Sequence, residues 1–154
     1  MTDTSLFLPD LTLASTRGDI ALHAPRKDWL LLYFYPRDNT PGCAKEALQF
    51  AAVYPRFRKQ NVEILGVSRD SVASHHRFRE KYALPFDLIS DADEKLSSHF
   101  GVIKNKILYG KKFRGIERST FLIDNNLRVT REWRNVKADG HAEETLAWIK
   151  DNIK

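Results

Sequence analysis

The chain has 154 residues, the size of one domain, and its 42% hydrophobic and 29% charged residues are the balance of an ordinary soluble domain with one core. One cysteine excludes an internal disulfide, any zinc site would need mostly His, Asp or Glu ligands, and the longest apolar run, residues 30 to 35, is too short to span a bilayer. The net charge of +5 permits weak attraction to anions without naming a partner, and the start, MTDTSLFLPD, shows no secretory signal, so a cytoplasmic location is expected.

No repeat, low-complexity tract or linker interrupts the chain, so residues 1–154 are expected to form a single domain. Residues 11 to 23 read as two short strands around a Gly turn, an N-terminal β-hairpin. WLLLYFYP, ending at Pro36, reads as a strand buried on both faces. Residues 42 to 59 show helical spacing, with Ala47, Phe50, Tyr54 and Phe57 on one stripe, and Pro55 should kink that helix or end its regular part. VEILGVS, 62 to 68, is a second buried strand. Residues 71 to 82 read as a helix capped by Asp70 or Ser71, and 86 to 90 as a short strand. Residues 93 to 100 form a short helix closed by Gly101. Residues 104 to 118 are dense in positive charge and read as a solvated loop. Residues 119 to 133 are a hairpin turning at Asn125-Asn126, and 140 to 153 an amphipathic last helix. The order predicts an α/β sandwich with one mixed sheet flanked by helices.

The only cysteine, Cys43, stands after Pro-Gly near the first turn of the helix that follows the first buried strand. Unpaired N–H groups and the positive end of the helix dipole gather there, a setting that favours a thiolate over a thiol. The thiolate is the nucleophile, so the position itself is a means of activation. Pro36 and Pro41 stiffen the loop, and Pro36 is placed to shield the sulfur from water. Thr40, three residues before the cysteine, is expected to turn its hydroxyl toward the thiolate and to hold an incoming oxygen. Gly42 lets the backbone approach closely and leaves the Cys43 amide free to donate. A thiolate attacking an O–O bond needs donors for an increasingly anionic peroxide, so a cation should complete the site. Arg118, just before the strand STFLID, is the leading candidate, with Arg37, Arg114, Arg131 and Arg134 as rivals on composition.

PRDNTPGC, residues 36 to 43, resembles the Pro-x-x-x-Thr-x-x-Cys active-site motif of peroxiredoxins. The longer run LYFYPRDNTPGCAKEALQF is similar to the BCP/PrxQ subfamily, the bacterioferritin comigratory proteins, as are GIERSTFLID at 115 to 124 and YALPFDLISD at 82 to 91. The resemblance runs from about residue 5 to the C-terminus. It implies a thioredoxin-like fold, no cofactor, and reduction of hydrogen peroxide and organic hydroperoxides. It makes Cys43 the peroxidatic nucleophile, Thr40 and Arg118 its activators and Pro36 its shield, and it gives Glu46 the part of orienting the arginine. Many subfamily members carry a resolving cysteine five residues after the peroxidatic one or in the next helix. Here the first position is Leu48, and residues 71 to 82 hold none. The resemblance therefore points to a one-cysteine cycle closed by an external thiol: thioredoxin, glutaredoxin with glutathione, or a small thiol. Leu48 is expected to pack as an ordinary apolar side chain in a helix that stays wound.

Other readings stand beside this one. A lone cysteine is commonly just a small core residue. Thr40 alone would be a helix cap and Arg118 alone a surface charge. His75-His76 suggests a metal, but adjacent helical residues point about 100° apart, so both are read as solvated. Asp91 and Asp93 read as a turn and a cap. The basic segment 104 to 118 is read as flanking the arginine, or as attracting an acidic reductase or anionic glutathione, rather than as binding nucleic acid. No nucleic-acid or membrane partner is expected, and the assembly is expected to be a monomer or weak homodimer. A thiol–disulfide oxidoreductase is weakened by the missing Cys-x-x-Cys. A non-enzymatic thioredoxin-like binding module remains the third alternative.

Overall fold

The computed structural model describes residues 6–153. Two short strands, β1 (Thr12–Leu13) and β2 (Ile20–Ala21), pair antiparallel. Then follow β3 (Trp29–Phe34), α1 (Pro41–Lys59), β4 (Val62–Ser68), α2 (Val72–Tyr82), β5 (Asp87–Ser90) and α3 (Lys95–His99). The chain closes with β6 (Ile103–Leu108), β7 (Lys111–Ile116), β8 (Ser119–Ile123), β9 (Val129–Trp133) and α4 (His141–Asn152). β3 is central in a mixed five-stranded sheet of order β5-β4-β3-β8-β9. β3, β4 and β5 run parallel, and β8 and β9 return antiparallel. This is the expected α/β architecture with flanking helices.

Successive strand residues point to opposite faces, and β3 uses both. Leu31, Tyr33 and the adjoining Tyr35 face Phe50 and Phe57 of α1, Phe78 of α2 and Leu146 of α4. Leu30, Leu32 and Phe34 face Leu96 and Phe100 around α3, and Phe121 of β8. Burial on both faces is why WLLLYF is an unbroken apolar run rather than an alternating one. Gly66 lies opposite Tyr33. A Cβ there would stand 2.8 Å from a Leu88 methyl and 3.0 Å from the Tyr33 ring, so only glycine lets that aromatic lie against β4.

Three expectations change. α1 runs through Pro55 without ending. Pro55 is exposed, so the carbonyl it leaves unbonded can meet water, while Val53 and Phe57 keep the other face buried. Residues 104 to 118 are not a loop: most of them form the β6–β7 hairpin. Its turn is Tyr109-Gly110, with φ of 52° and 77°, the two left-handed residues that a type I′ connection requires. His75 is not solvated but buried, with Phe78 three residues on beside it in the core. The expected cap at Ser71 is present, whereas at α3 the amides are met by Asp91, read as a turn, and not by Asp93. The Ser71 hydroxyl accepts from the Ser74 amide at 3.1 Å. The buried Asp91 carboxylate accepts from the amides of Leu96 and Ser97 at 3.0 and 2.7 Å.

One edge of the sheet collects the chemistry. Parallel β3, β4 and β5 all end there. Because β8 is antiparallel to β3, with Phe34 opposite Ser119, β8 begins there. Cys43 follows the end of β3, and Arg118 precedes the start of β8.

Candidate active site

The chain leaves β3, crosses residues 35 to 39 and enters α1 with Thr40 as extended N-cap and Pro41 in the first turn. Proline suits that position, where the missing N–H would have no helical partner. No acidic residue stands in the first turn, so the positive end of the helix dipole is not offset there by a carboxylate. Cys43 is in that turn and is 2% exposed.

The loop is anchored from behind. Buried Asp38 accepts from the Tyr35 hydroxyl at 2.6 Å and from the Ser74 hydroxyl at 2.8 Å, and its other contact is His75 Nδ1 at 2.7 Å. Its own amide donates to Asp70 at 2.8 Å. His75 Nε2 lies 2.9 Å from the Ile89 carbonyl. Asn39 adopts φ of 60° and accepts from Lys81 and Tyr82. The peptide before Cys43 is thus tied to α2 and to the end of β5. Donor atoms of Asp38, Asp70 and His75 lie within 4.8 Å of one another, a spacing a metal tolerates. Their lone pairs are largely taken: Asp38 is engaged as above, and Asp70 accepts from Ser68 and from the Asp38 amide. The cluster reads as a hydrogen-bonded tether.

Arg118 bridges two groups of α1. Its Nη2 donates to Cys43 Sγ at 3.4 Å, and its Nη1 donates to Glu46 Oε1 at 2.7 Å. A Cβ on Gly42 would approach the same Nη2 to 3.4 Å, so the glycine leaves room for the guanidinium. The rivals are engaged elsewhere. Arg114 pairs with Glu94, and Arg131 lies over the rings of Trp133 and Trp148. Arg134 pairs with Glu132, and Arg37 is exposed. Pro36 is half-buried at the loop entrance. The Thr40 hydroxyl donates to the Arg37 carbonyl at 3.0 Å, so its proton is turned into the loop instead of toward the sulfur. Its lone pairs remain able to accept.

Sequence reasoning missed Tyr33, Asp38 and His75. Tyr33 is buried beneath the site, its hydroxyl lacks a partner among the described residues, and burial and then the Glu46 carboxylate hold its acidity well below a free phenol's. The available signal for His75 was its spacing of three from Phe78, which puts both on one helix face. Leu48 departs from expectation. It is 42% exposed, because five helical residues from inward-facing Cys43 amount to about 140° around the axis.

Glu46 is fully buried, and its Oε2 has no partner among the described residues. Burial pushes its carboxyl up to about 7, although Arg118 pulls the other way. Burial alone would lower the Arg118 guanidinium, but the charges of Glu46 and Cys43 outweigh it and hold it above its ordinary value. A carboxyl that titrates near 7 folded and near 4.5 unfolded binds an extra proton in the folded state between those pH values. Stability from this group is full below about 4.5 and is lost as pH rises through about 7, a total of about 3 kcal/mol. Glu46→Gln should flatten that slope. Thermal unfolding from pH 5 to 8 checks this, and parallel curves for the two proteins would refute it.

The AhpC/TSA family is matched over residues 7–132. The Peroxiredoxin Bcp of Xanthomonas campestris is 49% identical over 159 residues, covering 100% of this chain and 99% of that protein. The Peroxiredoxin Bcp of Bacillus subtilis is 44% identical over 144 residues, covering 93% and 92%. Among solved structures, the Xanthomonas campestris bacterioferritin comigratory protein, studied for alkyl peroxide reduction, superposes with a TM-score of 0.90 at 48% identity, covering 97% of this chain and 98% of that one. A structure of Peroxiredoxin Q from the same organism gives 0.91 at 49% identity, covering 99% and 100%.

Proposed function

The chain belongs to the AhpC/TSA family and is a thiol peroxidase of the peroxiredoxin kind, and from that premise we propose that it reduces hydrogen peroxide and organic hydroperoxides at Cys43 and is regenerated by an external thiol. The observation that carries this reading is the 3.4 Å contact between Arg118 and the sulfur of a chain with one cysteine.

The Cys43 thiolate attacks the terminal oxygen of the hydroperoxide. An S–O bond forms, the O–O bond breaks, and the leaving alkoxide carries off the electron pair and takes up a proton. The sulfur, oxidised by two electrons, becomes a sulfenic acid. Arg118 donates to the oxygens as charge develops, at the low-dielectric base of the site where such a donor is strongest. Glu46 positions the guanidinium through the 2.7 Å contact. Thr40, its proton already given to Arg37, offers lone pairs to the hydroperoxide O–H. Pro36 limits water at the sulfur, and Gly42 keeps the guanidinium's space open.

The second half needs a partner. One thiol attacks the sulfenic sulfur, forming a mixed disulfide and releasing water, and a second thiol then reduces that disulfide. Thioredoxin, or glutaredoxin with glutathione, supplies this chemistry. We place the cycle in a single-domain protein, monomeric or weakly dimeric, with no cofactor in either step. Among the described residues no helix is long and apolar enough to cross a membrane.

With no internal thiol, the sulfenic acid must wait. Brief peroxide exposure without reductant should add about 16 Da and then about 32 Da to the intact protein, on one cysteine. With glutathione present, a mixed disulfide at Cys43 should replace those species. A rapid, quantitative dimer linked Cys43 to Cys43 would overturn the external-thiol cycle.

A further inference from the structure

The β6–β7 hairpin is a two-stranded ribbon that pairs with no other strand among the described residues. It leaves the molecule at the edge that carries the site. β7 ends at Ile116, two residues before Arg118. Arg114 at its base pairs with Glu94, which also takes Arg69 at 3.0 Å from the end of β4. Beyond this base the ribbon stands in solvent.

Its exposed side chains are unusual for a solvated ribbon. Tyr109 is 95% exposed, Ile107 71% and Phe113 44%. Lys104, Lys106, Lys111 and Lys112 are exposed, and none is in an ion pair among the described residues. The register sets Lys106 opposite Phe113 and Ile107 opposite Lys112. Adjacent residues face opposite ways, so each face joins an apolar group to a cation. Tyr109 holds a left-handed turn position that Asn or Gly occupies at less strain. Neither the fold nor the turn accounts for an aromatic there.

The catalytic cycle narrows what these groups meet. A neutral hydroperoxide gains nothing from a cationic ribbon, so the ribbon's charge serves the other half-reaction. Glutathione would use the lysines and leave Tyr109, Ile107 and Phe113 idle. A bilayer would use both kinds of group but brings no thiol. A protein uses both and delivers the thiol to the same edge. We infer that the β6–β7 ribbon is the docking surface for a protein thiol reductant with an acidic, partly apolar rim around its reactive sulfur. The inference rests on the external-thiol cycle above. The lysines steer the partner, and the apolar groups hold it beside Cys43.

Kinetics separate the two half-reactions. Oxidation by hydrogen peroxide is followed by loss of alkylatable thiol, and reduction is then measured with an acidic thioredoxin and, separately, with uncharged dithiothreitol. Replacing the four lysines with glutamate should slow thioredoxin by about 10²-fold at low salt. The difference should shrink at about 0.5 M salt, where charges are screened within a few ångströms. Tyr109→Asn should slow thioredoxin several-fold while leaving the melting temperature equal or higher, which a structural role would not do. Oxidation by peroxide and reduction by dithiothreitol should be unchanged in both variants. An unchanged thioredoxin rate in both variants overturns the docking surface. So does an equal loss with dithiothreitol, or a wild type that accepts only small thiols. Loss of binding to vesicles of phosphatidylglycerol and phosphatidylcholine, with the thioredoxin rate intact, assigns the ribbon to a membrane instead. A wild type that peroxide does not oxidise refutes the thiol cycle itself, a result the docking variants cannot mimic.

Discussion

Cys43→Ser should fold normally and reduce no peroxide above the uncatalysed rate. The swap is nearly isosteric at a 2% exposed position, and Arg118 Nη2 can donate to a hydroxyl where it now donates to sulfur. Stability should therefore change by no more than about 1 kcal/mol. The chemistry is lost because a serine hydroxyl does not ionise near neutrality, so the arginine has no anion to hold. No second cysteine can substitute in this chain. Peroxide consumption with dithiothreitol as reductant, measured beside a thermal melt, gives both numbers. Activity of a few per cent in a folded variant would remove Cys43 from the role of nucleophile.

Arg118→Ala should leave the thiol in place but slow the reaction with peroxide by about 10²–10³, the usual effect of removing a donor aimed at developing charge. The same substitution strips Glu46 of its only hydrogen-bond partner among the described residues. Glu46 already holds its proton up to about 7, and without the guanidinium it would hold it higher still. The variant should therefore lose more stability than the wild type between about pH 6 and 9, as a buried unpaired carboxylate is forced to form. Arg118→Lys restores a charge but not a fork that reaches Sγ and Oε1 together, so it should recover stability better than rate. Stopped-flow oxidation and melts at both ends of that range distinguish the outcomes. A wild-type rate in Arg118→Ala would mean that another cation serves the sulfur.

Elements with a strong apolar signature were legible in the sequence. WLLLYF and VEILGVS could hardly be anything but buried strands, and the stripe Ala47, Phe50 and Phe57 is the buried face of α1. The PRDNTPGC motif was legible too, since the residues that build the loop are contiguous. The β6–β7 hairpin was hidden because its turn is Tyr-Gly and consecutive residues from Lys111 to Arg114 are all exposed, so no alternation of burial marks that stretch. The tether of Asp38 to His75 spans 37 residues and depends on how α2 lies beside the loop, which no local pattern encodes. Leu48 is apolar but stands about 100° around the helix from buried Ala47, so its exposure follows from its angle, which residue type alone does not signal.

Cys43 and Arg118 are 75 residues apart, and what joins them is the pairing of β3 with β8. A slip of two residues in that register would carry the guanidinium about 6.6 Å from the sulfur. Competence is therefore a late event in the life of each molecule. On the ribosome the cysteine emerges long before its arginine, and residues 119 to 123 must be made and paired before the reacting groups meet. Until then the sulfur is an ordinary thiol of an unfinished chain. The long loop closure that slows this topology thus also postpones the oxidant's best target until the protein around it can complete the cycle.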